Sequence, residues 1–281
     1  MTESIPSHAT PSLPRDERGL ATTTDALLEL EEHVPRVLNS HLAATDHDRI
    51  VLTLDGTAKT ALAATLATEA VGSASVTGLV MPAFISQEAT ARDAEAIATG
   101  LDIEHERVQL YPALAAFQEA VEDSSGRAGD LVATERTLAR LRMAATYHVA
   151  ETTNAVVIGG TTRTEILLGS ATKYGDTGVD CLPFGGLYRT EVCALADHVG
   201  IPDALTSGPA TSASQARSPT VLDGGLSDRT VDEILRLSVD QGLDRATVAD
   251  RTGVDNAHIE RLTDWVKRTA HNRQYPPSAP L

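Results

Sequence analysis

Short apolar runs alternate with segments of helical periodicity along most of the chain. A first amphipathic helix is predicted over residues 24–41, where apolar residues recur on one stripe. After it come short runs typical of buried strands, each followed by at least one helix-period segment. The predicted strands are 50–54, 76–81, 102–110 and 154–159. The predicted helices between and after them are 58–71, 88–99, 113–121, 131–152 and 163–168.

This alternation predicts an α/β fold, a doubly wound parallel sheet with helices on both faces. In such sheets a ligand binds beyond the carboxyl ends of the strands. Further helices near 231–241, 245–251 and 256–269 are expected to form a small C-terminal helical cap. Residues 244–267 also resemble a helix-turn-helix, but this segment is acidic and lacks the basic face that DNA recognition needs.

Two segments lie outside this pattern. Residues 1–22 contain three prolines and no apolar core of a signal peptide, so we expect a disordered N-terminal tail. Residues 206–227 are rich in Ser, Thr, Gly and Ala, which favours a mobile lid loop. The folded domain is therefore expected to span residues 23–277.

The charge balance is strongly acidic, with 39 Asp and Glu against 23 Lys and Arg and a formal net charge of −16. The sequence has three lysines, Lys59, Lys173 and Lys267. Such a composition is typical of a halophilic protein, which must stay soluble in strong salt, and an ordinary acidic protein is the plainer interpretation. The same charge opposes sequence-independent binding to nucleic acid, so we expect no nucleic-acid partner.

The cysteines and the hydropathy favour a cytoplasmic protein. Cys181 and Cys193 give neither a disulfide framework nor the spacing of zinc ligands, so we expect reduced thiols. The longest apolar runs are far shorter than the roughly 20 residues that a membrane-spanning helix needs. We therefore expect no membrane partner.

The turn after the first predicted strand could bind a phosphate. Its sequence, DGTAKT at 55–60, leads into a helix N-terminus, where free N–H groups and the helix dipole favour an anion. Lys59 and Thr60 resemble the end of a Walker A loop, but positions 53 and 58 lack the glycines of that pattern. Plain chain reversal between strand and helix is the alternative.

A second glycine turn, 158–165, follows the fourth strand and again enters a helix. It leads into the loop 172–180, which places Lys173, Tyr174 and two aspartates around two glycines. A loop so dense in polar groups favours the positioning of a ligand, whereas a solvated loop with Asx turns is the alternative.

The long predicted helix carries three arginines. Arg136 and Arg140 are four residues apart and share a face, whereas Arg142 is about 200° round from Arg140. Arg140 and Arg142 are therefore not expected to meet the same ligand. Three surface arginines are the alternative interpretation.

Together these segments resemble the ammonia-dependent NAD synthetases, which are adenine nucleotide α-hydrolase-like ATP pyrophosphatases. The resemblance runs from about residue 30 to Pro277. Its most specific part is TKYGDTGVDCLPFGGLYRTEV at 172–192, which is similar to the family string TKYGDGG-D, LP and L-KTE. ARLRM at 139–143, VIG at 157–159, Glu165 and HNR at 271–273 extend the resemblance.

The resemblance implies a homodimeric ligase that amidates deamido-NAD with ammonia and ATP. The products would be NAD, AMP and pyrophosphate, formed through an adenylated carboxylate. Glu165 would be catalytic and would bind Mg²⁺. The implied ATP-binding residues are Asp55, Gly56, Thr57, Thr60, Gly160, Arg189 and Thr211. The implied deamido-NAD-binding residues are Arg140, chosen over Arg142, with Lys173, Asp180, His271 and Asn272.

The phosphate loop departs from the family pattern SGGxDS. Asp55 stands at its first serine, and Lys59 stands at the aspartate that the resemblance implies as the second Mg²⁺ ligand. A protonated lysine cannot bind a metal ion. Lys59 is therefore expected either to act in catalysis by bringing its own charge to the ATP phosphates, or to pair with Asp55 in an inactive loop. Family side chains are also replaced at Gly160, Arg189, Asn272 and Arg136.

Three functions stay open at this point. The first is a working NAD synthetase with an altered phosphate loop, and the second is a catalytically impaired paralogue that binds nucleotide. The third is a related ATP pyrophosphatase that acts on another substrate. Arg140, Lys173 and Asp180 favour a dinucleotide-like substrate, whereas Lys59 favours the impaired paralogue.

Overall fold

The computed structural model describes residues 13–125, 131–202 and 225–274, together with Pro276. Four strands form one sheet within these residues: β1 (Arg49–Leu54), β2 (Val76–Val80), β3 (Glu104–Arg107) and β4 (Ala155–Ile158). The helices of the sheet domain are α1 (Thr24–Thr45), α2 (Ala58–Val71), α3 (Glu88–Gly100), α4 (Tyr111–Ser125), α5 (Leu131–Thr153), α6 (Arg163–Leu168) and α7 (Arg189–Val199). Helices α8 (Asp228–Leu235), α9 (Arg245–Thr252) and α10 (Asn256–Arg268) follow. None of the described helices is long and apolar enough to span a bilayer.

The strands run parallel in the order β3-β2-β1-β4. Ile50 of β1 lies opposite both Val76 of β2 and Val156 of β4. The chain therefore winds outward from β1 to β3 and returns to the other side of β1 as β4. This reversal opens a crevice at the carboxyl ends of β1 and β4.

Helices cover both faces of the sheet, because successive strand residues point to opposite sides. Ile50 and Leu52 lie in one core with side chains of α1, α2, α3 and α7. Val51 and Val157 lie in a second core with Leu138 of α5. The predicted doubly wound α/β fold is confirmed.

The predicted C-terminal helical cap is also confirmed. Ile234, Val248 and Ile259 of α8, α9 and α10 share an apolar core with Leu168 of α6. The Trp265 indole N–H donates to the Leu168 carbonyl at 2.7 Å. The cap therefore holds the short helix that carries Glu165.

The predicted disordered tail is wrong over its described part, residues 13–22. Leu20 is fully buried in the cap core and Ala21 in the sheet core. The Ala21 N–H donates to Glu191 at 2.7 Å, and Arg18 forms an ion pair with Glu233. The segment has too few apolar residues for a periodic signal, yet Leu13, Leu20 and Ala21 are all buried. Residues 1–12 lie outside the described residues, as does the part of the predicted lid at 206–224.

Helix α7 is absent from the sequence-based prediction, although its start carries a recognisable signal. The Glu191 side chain accepts the Tyr188 N–H at 2.8 Å, as the third helical residue of a capping box does. Gly200 ends the helix in the left-handed conformation.

Candidate active site

A cleft of about 410 Å³ opens at the carboxyl ends of β1, β2 and β4. It lies where the strand order reverses and is walled by the turns after β1 and β4, by α5 and by the loop after α6. Charged and small polar residues line it, among them Asp55, Lys59, Thr60, Arg142, Gly160, Glu165 and Asp176. The two glycine turns that the sequence singled out therefore meet in one site.

In the first turn, Asp55 accepts hydrogen bonds from donors that the sequence analysis assigned to a phosphate. One carboxylate oxygen accepts the Thr57 N–H at 3.0 Å, the Thr57 hydroxyl at 2.6 Å and the Thr60 hydroxyl at 2.8 Å. Gly56 has φ +79°, and a Cβ at this position would lie 2.3 Å from the Thr90 carbonyl oxygen. The turn therefore has the geometry of an anion site, with the Asp55 carboxylate as its present anion.

Lys59 and Glu165 form an ion pair inside the cleft. The Lys59 ammonium lies 2.6 Å from Glu165 Oε1, and the two side chains are 28% and 8% exposed. The second Glu165 oxygen accepts the Thr162 N–H at 2.8 Å and the Thr162 hydroxyl at 3.0 Å. The predicted alternative in which Lys59 pairs with Asp55 is therefore wrong, because Glu165 is its partner.

This pair stays charged over the neutral range. Burial alone would lower the pKa of Lys59 and raise the pKa of Glu165. Burial is the largest single effect on each group, but the favourable interactions together outweigh it: Glu165, Asp55 and Asp176 act on Lys59, and Lys59, the Thr162 N–H and Arg189 act on Glu165. The pKa of Lys59 therefore lies above its ordinary value, and the pKa of Glu165 lies below its ordinary value.

Arg140 and Arg142 of α5 lie in different places relative to the cleft. Arg142 lines the cleft, and its Nε donates to the Met81 carbonyl at 3.3 Å. Arg140 is exposed outside the cleft and donates to the Arg136 carbonyl at 3.3 Å. Arg142 rather than Arg140 therefore faces this cleft, because helix α5 turns the side of Ala139 and Arg142 toward β2. The assignment of Arg140 to deamido-NAD stays a prediction.

The predicted dinucleotide residues divide into two groups. The Lys173 ammonium donates to the His271 carbonyl at 3.2 Å and lies 5.1 Å from the centre of the Tyr174 ring. Asn272 follows His271 in a short 3₁₀ turn, so these three residues lie together beside the cap. Asp180 instead accepts the Tyr147 hydroxyl and the Val157 N–H, each at 2.8 Å, and ties its loop to β4.

The remaining predicted ATP residues occupy different places. Gly160 lines the cleft beside Lys59. Arg189 forms an ion pair with Asp228 at 3.1 Å, yet its charge is close enough to help lower the pKa of Glu165. Thr211 lies outside the described residues.

Sequence reasoning missed Asp232, which is fully buried on α8. Its carboxylate accepts the Thr164 hydroxyl at 2.7 Å, and the Thr190 N–H and hydroxyl at 2.8 and 2.7 Å. The Thr164 hydroxyl in turn accepts the Arg189 N–H at 2.8 Å. This network joins α6, α7 and α8 behind Glu165. Its one sequence signal is an acidic residue directly after a core position, Val231.

The family model named NAD synthase matches residues 30–276 of the chain. The chain belongs to the NAD synthase family. The NH3-dependent NAD+ synthetase of Methanosarcina mazei is 36% identical over 229 residues, which cover 81% of this chain and 88% of the relative. That of Halobacterium salinarum strain R1 is 32% identical over 252 residues, which cover 90% and 93%. The second relative supports the halophilic interpretation of the acidic composition.

Solved structures agree with this family assignment. The NH3-dependent NAD synthetase of Campylobacter jejuni superposes with a TM-score of 0.75 at 25% identity, covering 90% of this chain and 99% of that one. An NMN synthetase from Francisella tularensis also superposes with a TM-score of 0.75 at 25% identity, covering 91% and 99%.

NAD synthases in general use ATP and Mg²⁺. The residues in this cleft do not fit a magnesium ion held by the protein, because both Glu165 oxygens accept hydrogen bonds and an ammonium lies on one of them. Among the residues that the structure describes, no group of three or more His, Cys, Asp or Glu side chains is placed to hold a metal ion.

Proposed function

We propose that this protein is an ammonia-dependent NAD synthetase. One observation carries the proposal: within the family match over residues 30–276, the two glycine turns and the TKYGDTG loop meet in one cleft at the reversal of strand order. Of the three functions left open by the sequence, this one also agrees with the relatives that are named NH3-dependent NAD+ synthetases.

The reaction proceeds in two steps. A carboxylate is a poor electrophile, so a carboxylate oxygen of deamido-NAD first attacks the α-phosphorus of ATP and pyrophosphate leaves. Ammonia then attacks the carbonyl carbon of the adenylate, and loss of a proton and of AMP gives the amide of NAD. Negative charge develops on the phosphates in the first step, which makes positive groups at that position valuable.

Two groups of described residues share this work, one lining the cleft and one beside the cap. Thr60 and Gly160, at the ends of β1 and β4, bind the phosphates of ATP. Arg142 and Lys173 bind anionic groups of deamido-NAD, and His271 contributes beside Lys173. Arg142 donates to the Met81 carbonyl and Lys173 donates to the His271 carbonyl. These two hydrogen bonds hold the cations in place before the ligand arrives.

The test is an assay of NAD formation by the pure protein in strong KCl with ATP, ammonium and magnesium. We expect equal amounts of NAD, AMP and pyrophosphate, and no product when glutamine replaces ammonium. Lys173→Ala should raise the KM for deamido-NAD, whereas Lys267→Ala, a change at a side chain 78% exposed on α10, should leave it unchanged. Nucleotide binding without any product would favour the impaired paralogue instead.

A second substrate merits the same assay. The equal structural likeness to an NMN synthetase favours nicotinate mononucleotide as an alternative acceptor of ammonia, because the bond formed is the same. The ratio of kcat/KM for deamido-NAD and for nicotinate mononucleotide decides between the two substrates.

We also propose that the protein is a cytoplasmic homodimer. Exposed apolar side chains on α4 and at the start of α5 support an interface there: Tyr111, Phe117, Val121, Leu131 and Val132. Free Cys181 and Cys193 agree with a reducing compartment. Sedimentation in strong KCl tests the dimer, and Leu131→Asp should shift the protein toward the monomer.

A further inference from the structure

The ion pair between Lys59 and Glu165 lies in the cleft, whereas a pair that only stabilised the fold would not need to face a cleft. Both residues line the cleft between the turns after β1 and β4, next to Thr60 and Gly160. The Lys59 side chain lines this cleft and keeps 28% of its surface exposed. A ligand phosphate in this cleft would therefore lie near a fixed positive charge.

The charges of the pair also balance without a metal ion. The Lys59 ammonium and the Glu165 carboxylate are opposite charges that lie 2.6 Å apart as an ion pair. A divalent cation on Glu165 Oε1 would lie beside the ammonium that already occupies this oxygen at 2.6 Å, where the two like charges repel. An acidic residue in place of Lys59 would instead give two neighbouring carboxylates and favour a divalent cation.

We propose that the Lys59 ammonium replaces a protein-bound divalent cation in this site and contacts the phosphates of the nucleotide directly. Glu165 orients the ammonium, and the Thr162 N–H and hydroxyl hold Glu165 from its other oxygen. The proposal rests on the proposed function for the identity of the nucleotide. It predicts that the protein binds an ATP analogue with little dependence on divalent cations.

Calorimetry with α,β-methylene ATP in strong KCl tests the proposal, once with excess magnesium and once with EDTA. We expect the Kd of the unaltered protein to differ by less than about threefold between the two conditions. Lys59→Gln, which removes the charge but leaves a polar side chain one atom shorter, should weaken binding in EDTA by at least about tenfold, the scale of a hydrogen bond to a charged group. Lys59→Asp should bind the analogue at least about tenfold more tightly with magnesium than with EDTA.

Mn²⁺ alone provides a readout that does not involve the nucleotide. We expect paramagnetic relaxation to detect a Mn²⁺ site in Lys59→Asp that the unaltered protein lacks. Lys267→Asp makes the same charge change on the exposed face of α10 and should gain no such site. If Lys59→Asp fails to fold, the comparison of Lys59→Gln with the unaltered protein still decides the question.

Three results would overturn the proposal: no binding of the analogue in either condition, binding that needs magnesium in the unaltered protein, or a Mn²⁺ site that includes Glu165 when Lys59 is present. These failures are separable from failure of the proposed function. NAD formation together with magnesium-dependent binding rejects only the role of Lys59, whereas magnesium-independent binding without NAD formation rejects only the NAD synthetase assignment.

Discussion

Two buried glutamates show how neighbouring charges set the state of a carboxylate in this protein. Glu165 and Glu191 hold the same third position of a capping box, at the starts of α6 and α7. Burial acts on both, but Glu165 has Lys59 at 2.6 Å, whereas Arg15 lies 3.8 Å from Glu191. The pKa of Glu165 is therefore lowered, and the pKa of Glu191 is raised because burial outweighs its hydrogen bonds.

Acid titration of stability should separate these two residues. The lowered pKa of Glu165 means that its ionisation stabilises the fold above about pH 4.5, and that this contribution is lost as the pH falls through its folded pKa. The stability advantage of the unaltered protein over Glu165→Gln should shrink on acidification. The pKa of Glu191 is raised, so protonation of this residue favours the folded state. The free energy of unfolding of the unaltered protein should therefore rise relative to that of Glu191→Gln on acidification. Urea unfolding at a series of pH values measures how each stability difference changes with pH. Equal changes for the two glutamates would contradict the opposite pKa shifts.

The position of Arg142 in the cleft and of Arg140 outside it gives a second prediction at this scale. Arg142→Ala should weaken deamido-NAD binding by about 10-fold or more, the scale of a lost hydrogen bond to a charged group. Arg140→Ala should have a smaller effect, because the Arg140 side chain lies outside the cleft. Calorimetric affinities of the two variants decide the order, and a larger loss for Arg140→Ala would show that the deamido-NAD site extends beyond this cleft.

Among the elements, the N-terminal segment and the cap support helix α6, which carries Glu165, on the side away from the cleft. Residues 13–22 place Leu20 in the cap core, while α6 is packed between the sheet and the cap. Ion pairs join the same segment to α8, between Asp16 and Arg229 and between Arg18 and Glu233. Residues 13–22 are therefore part of the folded unit.

Leu20→Ala tests whether this segment contributes to stability. Leu20 is 0% exposed, so the truncation should lower the free energy of unfolding by about 2–5 kcal/mol. Leu28→Ala on α1 removes the same atoms from a side chain that is 50% exposed and should cost less than about 1 kcal/mol. Equal losses in urea unfolding would place Leu20 outside the core.

Asp232 tests the connection between α6, α7 and α8. Asp232→Ala leaves the Thr164 and Thr190 donors without their buried acceptor, so we expect a loss of about 2–4 kcal/mol in the free energy of unfolding. Asp228→Ala lies one turn earlier on α8 and breaks only the exposed ion pair with Arg189, which should cost less than about 1 kcal/mol. Chemical unfolding of both variants in strong KCl provides the comparison.

At the scale of the whole molecule, net charge governs the response to salt. A charge of −16 on 281 residues makes the folded chain repel itself at low ionic strength. Screening shortens the Debye length from about 10 Å at 0.1 M salt to about 3 Å at 1 M. Neighbouring carboxylates then repel each other less, and the folded state gains stability.

The melting temperature should therefore rise from dilute buffer to molar KCl. Calorimetric scans over this range measure the effect, and most of the rise should fall below about 1 M, where the Debye length changes most. A flat or falling melting temperature would reject the halophilic interpretation.

The fold class followed from local patterns because strands buried in a parallel sheet and the helices that cover it carry periodic signals. The bounds of α2 were predicted to the residue and α6 was predicted near its observed place, since a turn glycine precedes α2 and glycine ends both helices. The sequence also predicted that the two glycine turns meet, because the carboxyl ends of parallel strands lie at the same edge of the sheet. Helix α7 and the folded state of segment 13–22 were not predicted. The signal for α7 was its capping box, whereas segment 13–22 has no hydrophobic periodicity.

The sequence by itself determined the family, the sheet and the presence of Lys59 where a metal ligand was expected. It did not determine the partner of Lys59, which is Glu165, 106 positions further along the chain. Nor did it determine which arginine of α5 faces the cleft, since the rotation of a helix about its axis is set by packing against the sheet. Pair distances and helix orientation depend on contacts between distant segments, and the tertiary structure alone decided them.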